Sequence, residues 1–209
     1  MNTIIEGSTV QSETPGAAWL LKADAVQNWT YWDNAFTPEE CEKIIEIGNS
    51  KILKSAVVGA KDGGLEKNTV IRDSKIAWLY GSDNMEWVFR RMTDIINSLN
   101  TQYFNFELTG FCEGFQFTKY EAPSGNYGMH IDRMIGHMVR KLSITIQLSD
   151  PESYKGGDLA IQIGMTPELM KREQGHVVVF PSYVLHEVQP VTEGTRYSLV
   201  AWINGPAFK

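Results

Sequence analysis

The sequence contains few cysteines and no long apolar run. Only two cysteines, Cys41 and Cys112, occur among its 209 residues, too few for a framework of disulfide bonds. Cys41 falls on a predicted helix and Cys112 in a predicted strand, so we expect both thiols to be buried. No apolar run is long enough to span a bilayer, and residues 1–11 lack the basic and apolar regions of a secretory signal. These absences predict a cytoplasmic protein without membrane contact.

Positive charge is also scarce. Nineteen Lys and Arg residues against 25 Asp and Glu residues give a formal net charge of −6, so the chain has no overall basic footprint for nucleic acid. Apolar residues make up 43% of the chain, as in globular rather than disordered proteins. No linker or internal repeat is apparent. We therefore predict a flexible N-terminal arm over residues 1–18 and a single domain over residues 19–209.

Two helices are predicted in the first half of the chain. Thr37–Glu40 has the sequence of a capping box with proline at the first helical position. Apolar residues at helical spacing follow it. A second apolar stripe from Met85 to Leu99 predicts a longer amphipathic helix, with Ser82 or Asp83 as its N-cap.

The pattern changes to period two in the second half of the chain. Phe111–Tyr120 and Leu142–Leu148 alternate, and Val177–Pro181 is an apolar run of strand length. In Leu142–Leu148 the apolar residues are expected to face the core. The polar residues that face the opposite side, toward the pocket of a small barrel, are Ser143, Thr145 and Gln147. The chain is thus predicted to be mainly β with flanking helices.

Two histidines and one aspartate form a candidate metal site. His130 and Asp132 are two residues apart, so in an extended segment their side chains point to the same side. His186, which we expect to close the Val177–Pro181 strand, is the best candidate for a third ligand. Two neutral imidazoles and a carboxylate suit a ferrous ion and leave three coordination positions open. An H-x-D pair alone is common in surface loops, so the distant histidine and the arginine that follows it make the pattern specific.

A candidate anion site follows ten residues later. Period two places Arg196, Ser198, Val200 and Trp202 on one face of a strand-like run. A guanidinium in such a strand needs an anion, and a carboxylate bound through two hydrogen bonds is its best partner.

The order of these motifs resembles the 2-oxoglutarate- and Fe(II)-dependent oxygenases, and within them the prolyl-4-hydroxylase-like branch. The resemblance extends from about Trp32 to Trp202. Its segments are Phe36–Cys41, Gln116–Tyr120, His130–Asp132, Leu148–Asp150, Gly156–Leu159, Phe180–Ser182, His186, Val188–Thr192 and Gly194–Tyr197. The resemblance implies a double-stranded β-helix core of the jelly-roll or cupin type, supported by two N-terminal helices.

The resemblance also implies the cofactors and their ligands. Fe(II), 2-oxoglutarate and O2 would be used, with ascorbate as a candidate reductant. The iron ligands would be His130, Asp132 and His186, and the distal carboxylate of 2-oxoglutarate would pair with Arg196. Further implied contacts of 2-oxoglutarate are Tyr120, Ser198, Gln147 and Thr145. Animal prolyl hydroxylases often have tyrosine where this chain has Gln147, which could still donate to a carboxylate.

The implied reaction is hydroxylation of a C–H bond with release of succinate and CO2. A prolyl residue, or another residue, in a peptide or protein is the first candidate substrate. Arg72, in an Arg-x-Ser step that the family often places near the substrate channel, and Trp202 are candidate substrate contacts. Arg72 could equally be an exposed residue of an edge strand, and Tyr120 a core tyrosine. No catalytic residue beyond the metal site is predicted.

Other functions remain open at this point. One alternative is a hydroxylase of free amino acids or small molecules, and another is a β-helix binding module whose metal site has decayed. The intact triad and Arg196 count against the second. A nucleic-acid demethylase is disfavoured because that branch has a second arginine where this chain has Trp202. The sequence does not determine the oligomeric state or the biological target.

Overall fold

The computed structural model describes residues 26–59, 65–132 and 139–208. The predicted arm over residues 1–18 lies outside these ranges, so the division into an arm and a single domain stays a prediction. Residues 133–138, directly after Asp132, also lie outside them. No helix in the described ranges is long and apolar enough to cross a membrane.

Two α-helices flank the sheets: α1 over Pro38–Asn49 and α2 over Glu86–Leu99. The predicted capping box of α1 is confirmed. The Thr37 hydroxyl accepts a hydrogen bond from the Glu40 amide, and the Glu40 carboxylate accepts one from the Thr37 amide. The same carboxylate accepts two hydrogen bonds from the guanidinium of Arg91, at 2.6 and 2.8 Å, and so ties α1 to α2.

Two local predictions are wrong. The N-cap of α2 is Met85 rather than Ser82 or Asp83, because the Asp83 carboxylate accepts from the Tyr80 amide at 2.8 Å and closes a short 3-10 turn instead. Cys112 is exposed and lies outside any strand, since the pairing with neighbouring strands begins only at Phe115. Cys41 is buried, as predicted.

The strands of the described chain pair antiparallel. They are β1 Thr30–Trp32, β2 Lys54–Ser55, β3 Val58–Gly59, β4 Leu65–Glu66, β5 Arg72–Asp73, β6 Lys75–Leu79, β7 Phe115–Glu121, β8 Asn126–His130, β9 Val139–Gln147, β10 Tyr154–Gly156, β11 Leu159–Gln162, β12 Glu168–Leu169, β13 Val177–Pro181, β14 Leu185–Val188 and β15 Val191–Gly205.

Two large sheets face each other. The larger has the order β1-β13-β9-β15-β7-β6-β2, with β10 also paired to β15, and the smaller has the order β12-β11-β14-β8-β5. Strands that are neighbours in space therefore come from distant parts of the sequence, as in a jelly roll. The predicted double-stranded β-helix core with two support helices is confirmed.

Strand β9 separates two apolar regions. Leu142, Ile144 and Ile146 pack with residues of both helices in the main core. A second cluster fills the barrel between the sheets; its members are Tyr120, Leu159, Ile161, Met170, Val178, Phe180, Val184, Val188 and Val191. Ser143 and Gln147 bond to side chains on this inner side, so the predicted alternation of β9 is confirmed.

Gly48 marks the closest approach of α1 to the larger sheet. A Cβ atom at this position would overlap the ring of Phe117 on β7. Gly48 is buried and Phe117 lies in the main core, where packing leaves little room for relaxation.

We expect Gly48→Ala to lower the free energy of unfolding by about 1–3 kcal/mol, because the added methyl group overpacks the helix–sheet contact. Urea denaturation followed by circular dichroism measures this change. Gly81→Ala is the matched control, since a Cβ atom there would meet nothing within 4 Å. Equal stability of the two variants would contradict this account of the helix–sheet contact.

Candidate functional site

The two candidate histidines lie on neighbouring strands of the smaller sheet. His130 ends β8, and the register of β8 with β14 places it directly opposite His186. Asp132 follows two residues after β8. The expectation that His186 closes the Val177–Pro181 strand is wrong, because a turn in which the Val184 amide donates to the Pro181 carbonyl at 2.8 Å separates β13 from β14. That turn carries the chain into the other sheet, and His186 therefore meets His130.

The three side chains meet in one small volume. Their candidate ligand atoms all lie within 4.8 Å of one another. Nε2 of His130 is 3.8 Å from Asp132 Oδ1, and Nε2 of His186 is 3.6 Å from Asp132 Oδ2. Nδ1 of each ring lies 2.8–2.9 Å from a backbone carbonyl, Gly128 for His130 and Val184 for His186. Each Nδ1 can thus donate a proton to that carbonyl, which leaves the Nε2 lone pair for a metal ion.

The electrostatics of the triad match the protonation that a metal ion requires. Burial, followed by the proximity of His186, lowers the pKa of His130 to about 4. Burial alone would raise the pKa of Asp132, but His186, His130 and the Ser143 hydroxyl outweigh it, so the pKa of that carboxyl lies below its usual value. A neutral imidazole therefore stands beside an ionised carboxylate. Two imidazole nitrogens and one carboxylate oxygen fit Fe(II).

Two buried serines hold Asp132 in place. The Ser143 hydroxyl donates to Asp132 Oδ2 at 2.6 Å and lies 3.0 Å from the Ser182 hydroxyl, while the Ser182 carbonyl accepts from the Asp132 amide at 3.0 Å. Because Ser143 occupies Oδ2, Oδ1 is the less encumbered oxygen for a metal ion. We did not predict either serine as a site residue. The alternation of β9, which places Ser143 on the pocket side, was the available signal.

Arg196 is buried inside the barrel, and no charged residue of the described ranges pairs with it. Only 1% of its surface is exposed. Its Nη2 donates to Gln147 Oε1 at 2.7 Å and its Nη1 to Ser198 Oγ at 3.4 Å, whereas its Nε has no partner. No carboxylate of the described residues pairs with it. This incomplete set of neutral partners fits a carboxylate ligand such as that of 2-oxoglutarate.

Of the remaining predicted cosubstrate residues, Tyr120 and Gln147 lie next to Arg196. The guanidinium is 5.4 Å from the centre of the Tyr120 ring, which is itself buried in the barrel interior. Gln147 Oε1 accepts a hydrogen bond from Arg196, and its amide nitrogen can still donate to a carboxylate. Thr145 lies on the same face of β9, opposite Val178 and Val200 in register. Their roles toward 2-oxoglutarate stay predictions.

Arg72 is on an edge strand of the smaller sheet, as one reading expected, but it is not exposed. Only 8% of its surface is accessible, and its guanidinium lies 4.3 Å from the centre of the Tyr127 ring. Tyr127 in turn stacks on His130, with ring centres 3.5 Å apart. The alternative of an exposed Arg72 is therefore wrong, and this side chain reaches toward the candidate metal site.

Trp202, the second candidate substrate contact, is also largely buried. It pairs in register with Ser143, the residue that holds Asp132. The guanidinium of Arg140 lies 3.7 Å from the centre of a Trp202 ring and donates two hydrogen bonds to Glu113 at 2.6 and 2.8 Å. The ring thus lies near the triad beneath a neutralised cation.

Comparisons with known proteins agree with this geometry. Residues 115–204 match the model of the 2OG-Fe(II) oxygenase superfamily. The predicted resemblance to these oxygenases is confirmed. A PKHD-type hydroxylase of Prochlorococcus marinus is 42% identical over 92 residues, which are 44% of this chain and 41% of the relative. A PKHD-type hydroxylase of Hyphomonas neptunium is 43% identical over 83 residues, 37% of each chain. The chain thus spans less than half the length of these curated relatives.

Solved structures share the fold at low sequence identity. A prolyl-4-hydroxylase of Pseudomonas putida aligns with a TM-score of 0.68 at 21% identity, over 86% of this chain and 94% of that one. A prolyl hydroxylase from Trichoplax adhaerens, solved with a peptide fragment of the hypoxia inducible factor oxygen degradation domain, aligns with a TM-score of 0.69 at 17% identity, over 85% and 84%. The barrel is therefore that of the prolyl 4-hydroxylase-like oxygenases.

We expect Ser143→Ala to weaken metal binding by about 10- to 100-fold, since loss of a group that orients a ligand has effects of this size. Titration with Co(II), followed by visible absorption, measures the affinity without turnover. Ser143→Thr should restore most of the affinity because it keeps the hydroxyl, and Ser153→Ala, in a turn remote from the triad, is the control. Unchanged affinity in Ser143→Ala would show that Asp132 needs no such support.

Proposed function

We propose that this chain is an Fe(II)- and 2-oxoglutarate-dependent dioxygenase that hydroxylates a C–H bond, with a prolyl residue of a peptide or protein as the first candidate. The observation that carries the proposal is the meeting of His130, Asp132 and His186 with both Nε2 lone pairs directed inward. The similarity to PKHD-type hydroxylases and to the fold of prolyl hydroxylases supports it.

The chain's own residues would position the reactants. When bound, Fe(II) and 2-oxoglutarate supply the oxidation of a C–H bond by O2, in which 2-oxoglutarate becomes succinate and CO2 and the substrate becomes an alcohol. His130, Asp132 and His186 would hold the metal ion, and Arg196 would bind the distal carboxylate. The apolar cluster between the sheets excludes water from this space, which strengthens the pairing of a carboxylate with Arg196.

Four features support the finer parts of the proposal. The Trichoplax prolyl hydroxylase was solved with a peptide, which favours a peptide or protein substrate. The intact triad disfavours a decayed binding module. Trp202 stands where a demethylase would have a second arginine, and the nearby Arg140 is neutralised by Glu113, which disfavours nucleic acid. Cys41 and Cys112 are both free thiols, in keeping with the proposed cytoplasmic location.

Anaerobic protein with Fe(II) and 2-oxoglutarate should show a weak charge-transfer absorption band in the visible range. We expect His130→Ala to abolish the band, because it removes a metal ligand. Arg196→Ala should raise the dissociation constant of 2-oxoglutarate by about 30-fold or more, since loss of one partner of a buried charge pair costs about 2–5 kcal/mol. Titration of the band with 2-oxoglutarate measures both effects.

Arg90→Ala is the control for the removal of an arginine, because Arg90 is exposed on α2 and pairs with Glu86. It should bind 2-oxoglutarate like the unchanged protein. Absence of the band and of bound iron in the unchanged protein would reject the dioxygenase and favour a binding module. A band that persists in Arg196→Ala with unchanged affinity would reject only the role of Arg196.

A further inference from the structure

The arginines of this chain fall into two groups. Six arginines lie in the described ranges, and four of them pair with a carboxylate of the protein. The pairs are Arg90–Glu86, Arg91–Glu40, Arg140–Glu113 and Arg172–Asp158. Arg72 and Arg196 have no such partner among the described residues. Both are also buried, at 8% and 1% exposure.

A buried guanidinium without an anion is unfavourable, because neutral partners do not replace the water that a charge loses on burial. For Arg196 the proposed cosubstrate supplies the missing carboxylate. Arg72 is held at a different point along β7. Arg72 bonds to Gln116 on β7, four residues before Tyr120, the residue opposite Arg196 in register. Four strand residues span about 13 Å.

Arg72 is nevertheless held in a defined position beside the triad. Its Nε donates to Ser74 Oγ at 3.1 Å and its Nη2 to Gln116 Oε1 at 2.7 Å. Its guanidinium plane covers Tyr127, which stacks on His130. Nη1 makes no hydrogen bond within the described ranges and is not sealed from solvent as Nε of Arg196 is. A donor without a partner thus remains on a fixed cation, and one ring, that of Tyr127, separates this cation from the candidate metal ligand His130.

We propose that Arg72 binds a carboxylate of the substrate. This inference rests on the proposed function and specifies its substrate class: a molecule that carries a carboxylate close to the hydroxylated carbon. A planar guanidinium with a free donor binds a carboxylate more strongly than it binds a neutral amide. The carboxylate belongs either to a chain end or free amino acid, or to the side chain of Asp or Glu next to the target residue.

Two matched pairs of small probes test the proposal and separate these sources. N-acetyl-L-proline and its amide differ only in a terminal carboxylate. Acetyl-Pro-Asp-amide and acetyl-Pro-Asn-amide differ only in a side-chain carboxylate. Ligand-observed NMR with protein loaded with Zn(II) and 2-oxoglutarate gives their dissociation constants without turnover. We expect the charged member of at least one pair to bind at least tenfold more tightly, and the pair that shows the preference identifies the source.

Arg72→Gln should remove that preference, whereas Arg72→Lys, which keeps the charge, should retain part of it. Lys75→Gln is the matched control, because Lys75 is an exposed cation on the next strand and pairs with Glu121; it should leave the preference unchanged. All variants must first show the Fe(II)–2-oxoglutarate absorption band, which establishes that they are folded.

The absorption band also separates the two proposals. If the band is present but neither pair shows a preference, including the case in which no charged probe binds, the carboxylate proposal is overturned and the dioxygenase stands. If Arg72→Gln still prefers the charged probe, the carboxylate proposal is also overturned. Loss of the band in the unchanged protein would instead reject the dioxygenase itself.

Discussion

The register between β8 and β14 is the constraint on which the candidate site depends. It places His130 opposite His186, and a backbone carbonyl two residues before each histidine accepts from its Nδ1. The main chain therefore sets both the position and the orientation of the rings. A shift by one residue would turn either ring to the outer face of the sheet. The pairing of these two short strands thus positions both candidate metal ligands.

The apolar interior of the barrel makes an unpaired charge unfavourable. An apolar cluster fills the space between the sheets, so a charge there is poorly hydrated and needs a partner. Asp132 finds two imidazoles and a serine hydroxyl. Within the described ranges, Arg196 and Arg72 contact only neutral groups. This arrangement is expected of residues that bind the carboxylates of ligands. The support helices pack against the other face of the larger sheet.

Local signals in the sequence were reliable where one physical preference acted alone. The capping box at Thr37 and the alternation along β9 needed only neighbouring residues, and both predictions are confirmed. Asp83 has the composition of a helix cap, yet it closes a 3-10 turn, because two turns compete for the same carboxylate. Cys112 follows an alternating pattern but lacks a strand to pair with. Composition cannot distinguish such cases.

The sequence by itself determined the types of side chain at the candidate site: two histidines, an aspartate and an arginine in an order that resembles the oxygenases. It also determined that His130 and Asp132 share one side of the chain, because their spacing matches the period of a strand. Only the tertiary structure decided that His186 lies on β14, that Ser143 and Ser182 hold Asp132, and that Arg72 is buried beside His130. These contacts join residues far apart in the chain, and they arise from the pairing of distant strands, which no local preference encodes.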